Sequence, residues 1–110
     1  MMTNPNLDAL ATAGTSAWLD DLSRQRLDGG ELKSLVDEYA VVGVTTNPAI
    51  FSSAMTTGDA YDEQLRELAA SGADAAETVF TMAIDDVRRA CDELADVSAR
   101  TGGADGRVSI

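Results

Sequence analysis

Short apolar runs alternate along the chain with longer segments in which apolar residues recur every three or four positions. The clearest run covers residues 40–46 (AVVGVTT), which are almost all apolar or β-branched. This pattern is typical of a strand buried on both faces of a parallel sheet. Shorter runs at 15–20 and 107–110 have a similar character, and helical spacing is clearest over residues 32–39 and 80–97.

Polar side chains and glycines predict where the helices begin and end. Asn6 has the character of an N-cap for a short first helix, and Asp59 that of an N-cap for a later one. Asp74 and Glu77 have the spacing of a capping box at the start of the longest predicted helix. We expect that helix to continue without a break to the Thr-Gly-Gly sequence at 101–103.

Strands that alternate with helices indicate an α/β fold with parallel pairing through right-handed crossovers. A (β/α)8 barrel needs about 250 residues, so a chain of 110 residues would supply no more than the first three strands of one. An isolated three-stranded α/β domain is the other geometry that fits. Because no repeat or low-complexity linker divides residues 1–110, we expect no internal domain boundary.

Composition excludes several classes of function. The net charge is −11, from 8 basic and 19 acidic residues, which argues against binding nucleic acid or an anionic membrane. The chain contains no His, so His-based triads and His metal sites are excluded. The single cysteine, Cys91, permits no internal disulfide, and we expect it to be a small buried apolar residue without a chemical role. With no apolar run long enough for a membrane span and no signal-like N-terminus, we expect a cytoplasmic protein.

Candidate chemistry lies at the end of the central strand. Side chains alternate between the faces of a strand, so Thr45 and Asn47 share one face with Gly43, and Thr46 points the other way. Ligands bind at the carboxyl ends of parallel strands, where the Thr45 hydroxyl and the Asn47 carboxamide are suited to hold substrate hydroxyls. The alternative is that both residues serve only the strand and the following turn.

The first strand ends in two acids with different predicted roles. Asp20 shares a face with Trp18, so its carboxylate is placed to relay protons, whereas Asp21 points the other way. The alternative is that one of them caps the helix beginning near Leu22, and Asp21 suits that role better. Lys33 lies on the polar side of an amphipathic helix, so we interpret it as a solvated lysine and not as a Schiff-base nucleophile. The acids of the longest helix are likewise expected to face solvent.

Residues 43–51 (GVTTNPAIF) match all nine positions of the first signature of transaldolases, and residues 16–24 (SAWLDDLSR) resemble the first strand of the longer bacterial transaldolases. The similarity extends from about Asn4 to Ile110. The resemblance implies the N-terminal portion, about three strands with their helices, of a (β/α)8 barrel of the class I aldolase type. It also implies a role in the pentose phosphate pathway. There a dihydroxyacetone unit would move from sedoheptulose 7-phosphate to glyceraldehyde 3-phosphate through a Schiff base, with sugar phosphates as partners and with no metal or other cofactor.

The same resemblance implies a role for each candidate residue. Asp20 would take part in proton transfer and hydroxyl binding, Thr45 would help to position the catalytic water, and Asn47 would contact the dihydroxyacetone unit. The Schiff-base lysine is expected beyond Ile110, together with the catalytic glutamate and the phosphate-binding arginines, so the chain alone is expected to be inactive. The alternative is a non-enzymatic α/β module that binds a partner through the open edge of the last strand.

Overall fold

The computed structural model describes residues 4–110, which form a mixed α/β structure with a parallel sheet of three strands. The strands are β1 (Ala17–Leu19), β2 (Val41–Thr45) and β3 (Arg107–Ser109), and their order in the sheet is β1-β2-β3. The parallel pairing predicted from the alternation of strands and helices is confirmed. The helices are α1 (Pro5–Thr12), α2 (Arg24–Asp28), α3 (Glu31–Glu38), α4 (Pro48–Thr56), α5 (Asp62–Ala70), α6 (Ala75–Glu93) and α7 (Ala95–Arg100). Within residues 4–110, no helix is both long and apolar enough to cross a membrane.

One face of the sheet packs against the helices. Leu19 pairs with Val44 across β1 and β2, and Val44 pairs with Val108 across β2 and β3. Val44 is fully buried, and its two neighbours pack against the same core. The other buried members of that core come mainly from the helices: Leu22, Leu27, Leu32, Phe51, Ala90, Leu94 and Val97. The alternation of faces predicted for the central strand therefore agrees with the pairing register.

The opposite face of the sheet carries a close contact between a glycine and an indole ring. Trp18 of β1 pairs with Gly43 of β2, and Gly43 pairs with Arg107 of β3. The indole lies so close over Gly43 that a Cβ at that position would overlap its Cε2, Cδ2 and Nε1 atoms. Trp18 itself remains 40% exposed. Glycine in this strand is thus explained by the close approach of a neighbouring side chain.

The N-caps predicted for the first and fifth helices are wrong. Helix α1 is capped by Asn4 and not by Asn6, because Pro5 occupies the first helical position, where no backbone N–H donor is needed. The Oδ1 atom of Asn4 accepts hydrogen bonds from the backbone N–H groups of residues 6 and 7, at 3.0 and 3.3 Å. Helix α5 begins at Asp62, so Asp59 is not its N-cap, although the carbonyl of Asp59 accepts from the Asp62 N–H at 3.1 Å.

The longest predicted helix is two helices. The capping box of Asp74 and Glu77 is present, but α6 ends at Glu93 and α7 begins after Leu94. The buried residues of α6 are Thr78, Met82, Asp86 and Ala90. Phe80, the first apolar residue of the helical spacing at 80–97, is 65% exposed. Cys91 is also exposed, so the prediction of a buried cysteine is wrong.

A buried carboxylate joins three separate parts of the chain. Asp86 has no exposed surface, and its Oδ1 accepts from Nε of Arg24 at 2.8 Å while its Oδ2 accepts from the Tyr61 hydroxyl at 2.6 Å. The guanidinium of Arg24 also lies over the Tyr61 ring, 4.4 Å from its centre, and donates to the carbonyl of Met82. Burial and the bond to Asp86 raise the pKa of Tyr61 above its ordinary value. The expectation that the acids of this helix all face solvent is therefore wrong for Asp86.

The contact between Trp18 and Gly43 predicts the effect of the substitution Gly43→Ala. The added methyl group must displace the indole, so we expect the free energy of unfolding to fall by about 1–3 kcal/mol. Trp18 is the only tryptophan, so its emission spectrum should shift at the same time. Urea unfolding followed by fluorescence measures both effects. Gly29→Ala, at a helix end with φ −77°, places its Cβ 3.2 Å from the Gln25 carbonyl oxygen and away from the indole, so it is the control for the emission shift. Unchanged stability and emission in Gly43→Ala would contradict the prediction.

Candidate functional site

Asp20 and Thr45 meet at the carboxyl ends of two neighbouring parallel strands. Asp20 directly follows β1, and Thr45 is the last residue of β2. The hydroxyl of Thr45 donates a hydrogen bond to Oδ1 of Asp20 at 2.6 Å. Asp20 is exposed, and within residues 4–110 its Oδ2 has no hydrogen-bond partner. Two of the candidate residues, predicted separately at the ends of two strands, are therefore in direct contact, and one carboxylate oxygen remains open to a ligand.

Asp21 lies in a separate set of charged groups. Its carboxylate pairs with the guanidinium of Arg26, which also binds Glu31. The helix that follows is capped by Ser23, whose hydroxyl oxygen accepts from the Arg26 N–H at 3.2 Å. The alternative that Asp21 caps this helix is therefore wrong. The prediction that Asp20 and Asp21 point in different directions agrees with the structure, because Asp20 binds Thr45 and Asp21 binds Arg26.

Asn47 caps helix α4 with its side-chain oxygen. Oδ1 accepts from the N–H groups of Ala49 and Ile50 at 3.1 and 3.4 Å, and Pro48 occupies the first helical turn. Such capping fixes which way the carboxamide is turned, because its oxygen already has two partners. The Nδ2 group, with its two N–H donors, is the part of Asn47 left for other contacts.

Ser109 is a neighbour of this site that the sequence patterns did not single out. It pairs with Thr45 across β2 and β3, and its carbonyl accepts from the Thr46 N–H at 2.9 Å. Paired residues of parallel strands point to the same face, so the Ser109 side chain lies on the face of Thr45, where it is exposed. The alternation of faces within residues 107–110 would have identified Ser109 as a site residue, but only once the pairing register of this strand with β2 is known.

Thr46 lies on the helix side of the sheet. It contributes to an apolar groove of about 710 Å³ that runs between α4 and α6. Phe51, Met55, Phe80 and Val87 line the same groove. The position of Thr46 agrees with the prediction that it points away from the face of Thr45 and Asn47.

Lys33 does not belong to the site. Its side chain is 73% exposed, and its ammonium group lies 3.4 Å from the carboxylate of Asp37, one helical turn along α3. A nucleophilic amine needs a desolvated environment, so the interpretation of Lys33 as a solvated lysine is confirmed. Among residues 4–110, no group of three or more His, Cys, Asp or Glu side chains is arranged to hold a metal ion.

Comparison with known proteins decides the family. Residues 17–110 match the family model for Transaldolase/Fructose-6-phosphate aldolase. The chain belongs to this family. The match includes all three strands together with Asp20, Thr45 and Asn47.

Individual relatives agree with this assignment. The chain is 57% identical to the transaldolase of Mycolicibacterium smegmatis over 110 residues, which are 100% of this chain and 30% of that protein. It is 58% identical to the transaldolase of Mycobacterium marinum and 57% identical to that of Mycobacterium tuberculosis, each over 107 residues. These stretches are 97% of this chain and 29% of each relative. The chain therefore spans about 30% of the length of the curated relatives it matches.

The capping role of Asn47 predicts how two substitutions differ. Asn47→Ala removes the acceptor for the Ala49 and Ile50 N–H groups, so we expect the free energy of unfolding to fall by about 1 kcal/mol. Asn47→Asp keeps an acceptor oxygen at the start of α4, where negative charge is also favourable, and should remain close to the unsubstituted chain. Urea unfolding of the three proteins makes the comparison. An equal loss of stability in both variants would show that the oxygen does not cap the helix.

Proposed function

We propose that the chain supplies the first three strands of a (β/α)8 barrel of the class I aldolase type, in an enzyme that acts as a transaldolase. Membership of the family supports the barrel and the reaction class. The observation that carries the proposal is the contact of Asp20 with Thr45. This pair lies at the carboxyl ends of parallel strands, the edge at which barrel enzymes of all chemistries hold their reactive groups.

The reaction proposed is transfer of a dihydroxyacetone unit from sedoheptulose 7-phosphate to glyceraldehyde 3-phosphate. A lysine amine would condense with the ketose carbonyl and release water. Loss of the C4 hydroxyl proton to a base and cleavage of the C3–C4 bond would release a four-carbon aldose phosphate. The three-carbon unit left on the amine would then add to the aldehyde carbon of glyceraldehyde 3-phosphate, and hydrolysis would release fructose 6-phosphate. Lys33 is unsuited to the first step because it is exposed and faces Asp37, so we assign the amine to a part of the enzyme outside this chain.

Asp20 and Thr45 are suited to the proton transfers in this sequence. The bond from the Thr45 hydroxyl holds one oxygen of the Asp20 carboxylate, which leaves Oδ2 to take a proton from a substrate hydroxyl or a water molecule and to return it. The lone pairs of the Thr45 oxygen can accept a hydrogen bond from the same water. The carboxylate would thereby be held in one orientation through the reaction.

Asn47 is suited to bind the dihydroxyacetone unit as a donor. Because its Oδ1 caps α4, the Nδ2 group would donate to a hydroxyl oxygen of the substrate. A carboxamide already fixed by the backbone loses little side-chain freedom when the substrate binds. We therefore assign Asn47 to substrate binding and the Asp20–Thr45 pair to proton transfer.

The non-enzymatic module remains the second candidate. In the described part of the chain, β3 pairs only with β2, so its outer edge could accept a strand from a partner. The same edge would be covered by the next strand of a closed barrel. Family membership favours the enzyme, and we assign such an enzyme to the pentose phosphate pathway in the cytoplasm.

A chimeric protein tests the proposed activity. This chain would replace the matched segment of the Mycolicibacterium smegmatis transaldolase, which is 57% identical to it. We expect the purified chimera to form fructose 6-phosphate from sedoheptulose 7-phosphate and glyceraldehyde 3-phosphate. A well-folded chimera without this activity would contradict the proposal and favour the non-enzymatic module.

The different partners of the two adjacent acids predict different kinetic effects in that chimera. Asp20→Ala should lower kcat by about 10²–10⁴-fold, because it removes the proton-transferring carboxylate. The imine should still form, since the lysine is untouched. Asp21→Ala removes only a partly exposed ion pair with Arg26 and should change kcat by less than about tenfold. Steady-state assays give kcat, and borohydride trapping gives the yield of imine. A larger loss in Asp21→Ala than in Asp20→Ala would contradict the assignment.

A further inference from the structure

We infer that Tyr61 and Asp86, which lie outside the site, are positioning residues for Asp20. The inference rests on the proposed function, because it concerns the placement of the proton-transferring carboxylate. Neither side chain contacts Asp20. Both hold Arg24, which ends the short segment that follows Asp20 along the chain.

Arg24 is held through both its backbone and its side chain. Its backbone N–H donates to the Tyr61 hydroxyl at 2.7 Å, and its Nε donates to Asp86 at 2.8 Å. The Tyr61 hydroxyl in turn donates to Asp86 at 2.6 Å. Tyr61 is 1% exposed and Asp86 is fully buried. The Tyr61 hydroxyl therefore accepts from a backbone N–H and donates to a buried carboxylate. It holds the main chain at Arg24 as well as the side chains around it.

The segment between Asp20 and Arg24 leaves little room for independent movement. Leu22 is fully buried in the core, and Ser23 caps α2. Four residues span at most about 14 Å even when fully extended. Because the segment is this short, a displacement of the backbone at Arg24 also moves the backbone near Asp20. The bond between Asp20 and Thr45 depends on that placement, because it joins the start of this segment to the end of β2.

This coupling needs no contact between the buried cluster and the substrate. A misplacement of about 1 Å in a reacting group can lower a rate by about 10²-fold. Loss of the Tyr61 hydroxyl would release the Arg24 N–H and one oxygen of Asp86 while the ring keeps its packing. The consequence should appear in kcat through Asp20, with a smaller change in KM.

The test uses the active chimera with the substitution Tyr61→Phe. We expect kcat to fall by about 10–100-fold and the yield of borohydride-trapped imine to be retained. Gln64→Ala is the matched control, because it removes another hydrogen bond between α5 and α6, from Gln64 to Asp85 at 2.5 Å, without touching Arg24. The control should stay within about twofold of the unsubstituted chimera.

A double-mutant cycle separates positioning from general destabilisation. In the Asp20→Asn background, Tyr61→Phe should change kcat by less than about twofold, because the group that it positions is already gone. An equal loss in both backgrounds, or no loss with Asp20 present, would overturn the inference while the proposed function stands. If Tyr61→Phe fails to fold, Arg24→Lys takes its place in the same cycle: it alters the side-chain bond to Asp86 and keeps the backbone bond to Tyr61. A loss in kcat is again expected only when Asp20 is present. Absence of activity in the unsubstituted chimera would instead overturn the proposed function and this inference with it.

Discussion

The buried carboxylate of Asp86 is the constraint on which the packing of the helices depends. A carboxylate without exposed surface is tolerated only when its oxygens have hydrogen-bond donors, and here those donors are Arg24 and Tyr61. Arg24 precedes β2 in the sequence and Tyr61 follows it, so the Asp86 carboxylate has both of its donors only when both regions pack against α6. The apolar core around Leu22 then forms between the same elements. One polar requirement thereby specifies how α2, α5 and α6 pack together.

The register of the three strands separates the side chains of the core from those of the candidate site. Val44 and its paired neighbours in β1 and β3 pack against the helices. Thr45 and Ser109 lie on the other face, at the carboxyl ends of β2 and β3. On that face the indole of Trp18 lies directly over Gly43, two residues before Thr45. The candidate site is consequently built on ends of strands whose opposite sides are held by the core, an arrangement that limits the movement of its side chains.

Local patterns predicted those features of the fold and the site that depend on neighbouring residues. The β-branched run at 40–46 predicted the central strand, and the alternation of faces placed Thr45 and Asn47 on one side of it, because both follow from strand geometry alone. The contact of Thr45 with Asp20 depends in addition on the pairing of β1 with β2. The burial of Asp86 could not be predicted from local sequence patterns. It lies one helical turn from Met82 and from Ala90, in line with the buried face of α6, but an acid in that position is buried only because Arg24, far away in sequence, reaches it. Periodicity along one helix carries no information about such a partner.

Borohydride trapping tests most directly whether the imine-forming amine of the proposed enzyme lies outside this chain. The chain and the chimera would each be reduced with borohydride in the presence of fructose 6-phosphate and then measured by intact mass. We expect one adduct per molecule in the chimera, on a lysine outside the residues of this chain. The 110-residue chain, whose single lysine is Lys33, should carry none. A stoichiometric adduct on Lys33 of the 110-residue chain would contradict this division of the site.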